Sequence, residues 1–170
     1  LLRSLSQLDV ITYKSVAQRG EAEFSEWLNE TRNDFELKNL VLVGSPSSDG
    51  DIKLSLPDAY KALAKQDNDV FLGGVTIAER HASKRNEHER LVEKTAQGCK
   101  FFISQAVYNA QATIDLITSY ARSCKAQGTT PKRIILTFTP CGGEKTLEFM
   151  EGLGISVPEA TKYRMLDSEN

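Results

Sequence analysis

The sequence predicts an α/β fold, and within that class a (β/α)8 TIM barrel of which about five βα units lie in these 170 residues. Three observations carry that expectation. Short runs rich in β-branched and aromatic residues alternate with amphipathic segments of helical period. One run, Asn39-Leu40-Val41-Leu42-Val43-Gly44, is continuously apolar from Leu40 to Val43 without polar alternation, as in a strand of a parallel sheet covered on both faces. No GxGxxG follows any strand, so the fingerprint of a dinucleotide-binding open sheet is missing and the barrel is favoured. A complete barrel takes about 200 to 250 residues and eight strands, which leaves roughly three units unaccounted for. The chain is therefore read as one partial barrel domain, residues 1–170, and its opening on Leu1 as a sign of processing or of a fragment.

The elements follow in order. Asp9 to Val16 form a β-rich run, and Gly20-Glu21 then opens a helix whose Phe24, Trp27, Leu28, Thr31 and Phe35 recur at intervals of three and four. After the strand at Asn39–Gly44 comes a turn-rich loop, Ser45 to Asp51, read as a surface connector. Ser55 is placed to cap the next helix, with Pro57 in its first turn, Asp58 three residues after the cap, and Tyr60, Leu63 and Ala64 on its buried side. Val70 to Ile77 is a strand in which Gly73-Gly74 marks either a close approach of backbone or ligand or simple tight packing.

Glu79 to Arg85 read as a charged loop. Asn86 then caps a helix with Leu91, Thr95 and Ala96 inward and His88 facing solvent. Gly98 to Asn109 contains a buried strand with Gln105 near its carboxyl end, where ligands bind in parallel α/β proteins. From position alone Gln105 is either a ligand contact or a polar group satisfied internally. Ala110 to Cys124 form a helix through Ile114, Ile117, Tyr120 and Ala121, stopped at Gly128. Arg133 to Pro140 is the fifth strand, Cys141-Gly142-Gly143 a turn, Glu144 to Leu153 a helix with Leu147 and Met150 buried, and one more helix follows Pro158.

Composition narrows the function classes. Forty per cent of residues are hydrophobic and 26% charged, ordinary for a chain with a real core. The 21 basic and 23 acidic residues nearly cancel without long blocks of either sign, so a polyanion partner such as nucleic acid is not expected. Cys99, Cys124 and Cys141 contain no CxxC pair and fit reduced thiols, Cys99 a buried one, in a cytoplasmic protein. No stretch approaches the roughly 20 apolar residues of a membrane span. With His81 and His88 the only histidines, no metal site is expected.

Four pieces, in this order, carry a resemblance to a known family. They are Leu72-Gly73-Gly74 through Glu79-Arg80-His81, then Glu87 to Lys94, then Gly98 to Tyr108, and finally Thr146 to Pro158. Together they resemble the barrel of the methylenetetrahydrofolate reductase family, along most of the chain from about Asn39 to Pro158. Members are flavoproteins in which FAD passes a hydride from NAD(P)H to methylenetetrahydrofolate. The resemblance thus implies FAD as cofactor, and a reduced folate and NAD(P)H as partners, with a homo-oligomer as a further possibility.

Position by position, Gln105 looks like the strand-end Gln that hydrogen-bonds the pterin, and Tyr108 like the aromatic beside it. A Gln amide offers donor and acceptor together, which suits a pterin edge. His81 resembles a loop histidine near the flavin. Glu87 and Lys94 resemble the residues set against the ribose and phosphates of FAD, and Gly44, Ser45, Gly74 and Ile77 occupy further cofactor positions. Without the resemblance, Glu87 and Lys94, seven residues apart on one helical face, read as a solvated surface.

The chain also departs from the family. Val43 and Ser45 stand where the family has the Arg and Asp of an Arg-Gly-Asp, Ile77 where a Tyr is frequent, and Gly143-Glu144 where an Asn and an aromatic often contact folate. A carboxylate beside the flavin tunes its electronics, and Ser45 supplies none. The general-acid Glu belongs to a strand outside this chain, so no catalytic residue is assigned. The leading expectation is a reductase-like flavoprotein. The alternative is a divergent folate-binding or methyl-transfer partner protein without flavin redox activity.

Overall fold

A computed structural model describes residues 8–45, 51–66 and 69–167. The elements are β1 (Ile11–Ser15), α1 (Glu21–Asn33), β2 (Asn39–Val43), α2 (Leu56–Ala64), β3 (Phe71–Thr76), α3 (Ala78–Lys84) and α4 (Glu87–Ala96), followed by β4 (Phe101–Ala106), α5 (Ala110–Ala126), β5 (Arg133–Thr137), α6 (Glu144–Gly152) and α7 (Glu159–Asp167). The strands form one five-stranded sheet in the order β1-β2-β3-β4-β5. That monotonic order has no switch point of the kind that defines a doubly wound sheet, and it is the order in which consecutive barrel strands would lie. What the structure establishes is α/β with a five-stranded parallel sheet; closure into eight strands goes beyond it. Most of the connector expected at Ser45 to Asp51 lies outside the described residues.

The chain divides into two compact units, one running to Val75 and including Lys94–Phe102, the other made of Thr76–Glu93 and Ile103 onward. In the first unit β1, β2 and β3 pair in parallel, with Ile11 opposite Asn39, Asn39 opposite Phe71 and Leu42 opposite Gly74. Leu40, Val41 and Leu42 are all buried, because side chains on both faces of β2 are covered. Helix α1 buries Phe24, Leu28 and Thr31, while Trp27 stacks on Phe24 and receives Lys14 over its ring at 4.5 Å. Phe35 lies past the helix end and is exposed, so it does not extend the buried stripe. Helix α2 starts as its sequence dictates: the Ser55 hydroxyl accepts the Asp58 N–H at 3.2 Å. Its inner side is Ala59, Tyr60, Ala62 and Leu63, whereas Ala64 faces outward.

Gly73 and Gly74 are explained by packing within this unit. A Cβ on Gly73 would fall 2.4 Å from the Phe101 ring, itself stacked on Phe71 at 5.3 Å, and one on Gly74 would meet Phe102 at 3.3 Å and Cys99 Sγ at 3.4 Å. The close approach is made by aromatic rings of the neighbouring β4.

In the second unit, residues expected to form a charged loop are helix α3 instead. Ala78, Glu79, Arg80, Ala82 and Lys84 are good helix formers, and the helix closes at Arg85, which takes the left-handed conformation (φ 57°) with its N–H on the His81 carbonyl. Helix α3 packs on α5. Helix α5 buries Ala112, Thr113, Leu116, Tyr120 and Cys124, so its inner stripe is rotated by about one residue from the expected one and leaves Ile114 and Ile117 exposed. Gly128 stops it at φ 66°. The edge strand β5 exposes Ile135 and Leu136. Leu147 and Met150 of α6 are buried as expected, with Ile155 and Val157, and Tyr108, Cys141 and Met165 pack against them. Among the described residues no helix is long and apolar enough to cross a membrane.

Candidate ligand-binding site

The carboxyl end of β4 places Gln105 half-buried in the second unit. Its Nε2 donates to the Leu153 carbonyl, past the end of α6, at 3.3 Å. A Gln amide has two N–H groups and a carbonyl oxygen, so that one bond leaves hydrogen-bonding capacity for a ligand. Gln105 borders a small cleft with Thr76, Glu79, Ser104, Thr113 and Leu116. Three residues on, the Tyr108 hydroxyl donates to the Thr139 carbonyl at 2.8 Å, and its ring lies against the Leu147–Val157 cluster. Burial, and then the neighbouring Cys141, push the phenol's pKa up, so Tyr108 stays a neutral donor. Strand β5 secures the base of this end: Thr137 N–H donates to Ser104 Oγ and Thr137 Oγ1 to the Ser104 carbonyl, both at 2.9 Å.

The turn leaving β3 is organised by Glu87. Its side chain is fully buried, Oε1 accepts the Ile77 N–H at 3.1 Å and the Thr76 hydroxyl at 3.4 Å, and Oε2 faces Arg90 Nε at 3.5 Å. Ile77 is the residue from which α3 starts, so the carboxylate occupies an N–H that the helix itself leaves unpaired. His81 is buried on α3, and its ring meets that of His88 edge to face, with centroids 5.1 Å apart. Nδ1 of each ring is buried without a hydrogen-bond partner. Burial, then His88 and Arg85, hold His81 below the usual imidazole pKa, opposed by the more weakly felt Asp115 and Glu87.

The remaining sequence-predicted positions belong to the first unit. A Cβ on Gly44 would touch Leu56 at an ordinary 3.6 Å, and Gly74 is covered by Phe102 and Cys99. Ser45 directly follows β2 and Gly44. Lys94 is 8% exposed and its ammonium donates to the Val75 carbonyl at 2.6 Å. Glu87 and Lys94 therefore lie on the inward side of α4 with Leu91, whereas Ala96, expected inside, is exposed. His88, expected in solvent, is half-buried against His81. The structure thus brings Ile77, His81 and Glu87 together around one turn, and Gln105 and Tyr108 onto one strand end. Sequence reasoning missed Thr76, His88 and Asp115 as neighbours of that turn. The seven-residue spacing of His81 and His88 was the one available signal, and Arg85 in the left-handed conformation is what folds it back. Among the described residues no three His, Cys, Asp or Glu side chains are grouped to hold a metal ion.

No protein-family model matches the chain, and no curated protein matches it. Among solved structures, it is similar to an uncharacterized protein from Clostridium thermocellum that binds two copies of 5-methyl-5,6,7,8-tetrahydrofolic acid, with 38% sequence identity and a TM-score of 0.81. The match covers 95% of this chain and 55% of that protein, so the chain spans about half the length of its relative.

Proposed function

We propose that this chain carries a binding site for a reduced folate of the 5-methyltetrahydrofolate type, with Gln105 as the side chain that reads the pterin. The observation that carries the reading is the similarity, at 38% identity, to a protein that binds 5-methyltetrahydrofolate. The local geometry supports it. Gln105 stands at the carboxyl end of a parallel strand, is half-buried, and keeps amide capacity beyond its bond to Leu153. Pterin rings carry adjacent donors and acceptors on one edge, which an amide can match with two hydrogen bonds. Tyr108, held by Thr139, supplies an aromatic wall whose position is set before any ligand arrives.

A protein that only binds a reduced folate would need this much and no more, whereas a methyl-transfer partner would also need an acceptor for the methyl group. The flavoprotein reading, in which FAD relays a hydride from NAD(P)H to methylenetetrahydrofolate, rests on the order of the resembling sequence pieces. Equilibrium titration of the intact protein with 5-methyltetrahydrofolate tests the proposal. Saturable binding is the expected result, and its absence at millimolar ligand would end the folate reading. Oxidation of NAD(P)H by the same preparation would favour the reductase.

A further inference from the structure

We infer that Glu87 and Lys94 do not anchor a nucleotide cofactor but clamp the backbone that leaves β3, so that this chain handles its ligand without the flavin that its resemblance implies. The biological sense of this rests on the folate reading; the geometry does not.

An anchor for ribose hydroxyls or a diphosphate must offer its charged atoms to an incoming ligand. Glu87 is fully buried: its Oε1 is held by the Ile77 N–H and the Thr76 hydroxyl, and its Oε2, which makes no hydrogen bond, lies 3.5 Å from Arg90 Nε, so neither oxygen is open to solvent. Lys94 is almost as deeply buried, with its ammonium 2.6 Å from the Val75 carbonyl. Turning either side chain toward a ligand would leave buried backbone groups unpaired, a loss the ligand would have to offset. The resemblance also sets cofactor atoms against Gly74 and Ile77. The first is covered by the Phe102 ring and Cys99 Sγ, and the N–H of the second is already donated to Glu87. Ser45 removes the carboxylate that would face the flavin ring. Five of the seven positions that the resemblance gives to the cofactor, Ser45, Gly74, Ile77, Glu87 and Lys94, thus point the same way. Charged groups buried this far, with Glu87 Oε1 and the Lys94 ammonium each bonded to the main chain, behave as internal ties.

The test uses the intact protein and three probes: FAD, ADP (which carries the ribose and diphosphate alone) and 5-methyltetrahydrofolate. The wild type is expected to show no saturable binding of FAD or ADP up to millimolar concentration. Lys94→Met, which keeps the length of the side chain and loses the bond to Val75, is expected to lower Tm by about 3 °C or more. Saturable FAD or ADP binding would overturn the inference, and so would a Lys94→Met protein as stable as the wild type. Should the variant fail to fold, the dependence of folding on Lys94 supports the clamp, and the wild-type nucleotide titrations still decide the cofactor. The folate titration in the same samples keeps the two proposals apart. Absence of folate binding sinks the functional reading alone, and the FAD result judges this one.

Discussion

Two regions that sequence similarity assigns to ligands differ in how their polar groups are engaged. At the carboxyl end of β4, Gln105 is half-buried and makes one 3.3 Å bond to a main-chain carbonyl, with the rest of its amide capacity uncommitted to that bond. On the inward side of α4, Glu87 and Lys94 are buried and tied to Ile77, Thr76 and Val75 at 2.6 to 3.4 Å. The difference teaches that position in a motif and availability to a ligand are separate properties. Polar capacity held back from the interior is the physical mark of a ligand residue.

Removing the tie at Glu87 should have the largest effect. Glu87→Ala leaves the Ile77 N–H and the Thr76 hydroxyl without their acceptor and opens space beside Leu91, so a loss of about 2 to 4 kcal/mol in unfolding free energy is expected from denaturant titration. A loss under about 0.5 kcal/mol would mean that Glu87 is not a structural tie, and the contrast between the regions would collapse.

The next expected effect concerns pH and the same turn. His81 is held below its ordinary pKa by burial and by the charges of His88 and Arg85, against the weaker pull of Asp115 and Glu87. The unfolded chain, with His81 near 6.5, binds the proton more readily than the folded one. Its contribution to stability is therefore present above about pH 6.5 and is lost as pH falls below that value. His81→Phe, which keeps a ring against His88, should flatten the fall in stability between roughly pH 7 and 5. An unchanged profile would show that the pair at 5.1 Å does not sense protons.

The smallest effect sharpens the other side of the comparison. Tyr108→Phe removes the donor to the Thr139 carbonyl and keeps the ring, so unfolding free energy should fall by about 1 kcal/mol with folate affinity changed less than about threefold. A tenfold loss of affinity would make the hydroxyl itself a ligand contact.

Much of the architecture was legible because apolar pattern and burial coincide in it. The unbroken run of β2 is buried at Leu40, Val41 and Leu42, Ser55 caps α2 through Asp58, and Leu147 and Met150 face inward on α6. Hydropathy failed where burial is achieved by other means. Helix α4 turns Glu87 and Lys94 inward, where the Ile77 N–H meets Glu87 Oε1 and the Val75 carbonyl meets the Lys94 ammonium, a solution invisible to any apolar period. Helix α5 places small Ala112 and Thr113 inside and leaves Ile114 and Ile117 out, since the turn of Asn109, which accepts the Ala112 N–H, sets its rotation. Helix α3 was lost among charges because its residues favour helix by propensity and carry no apolar stripe. Of the site, Gln105 was visible as a polar residue at a strand end, but its distinction from Glu87 required knowing which polar groups the fold already occupies.

The most direct test compares 5-methyltetrahydrofolate binding by the intact wild type and by Gln105→Ala, with Tm measured on both. The account predicts saturable binding weakened about tenfold or more in the variant, with Tm shifted by less than about 2 °C, because the fold holds Gln105 through a single 3.3 Å bond to Leu153 and the rest of its amide would serve the ligand. Equal affinity in the two proteins, or a Tm lowered by much more than about 2 °C in the variant, would contradict it.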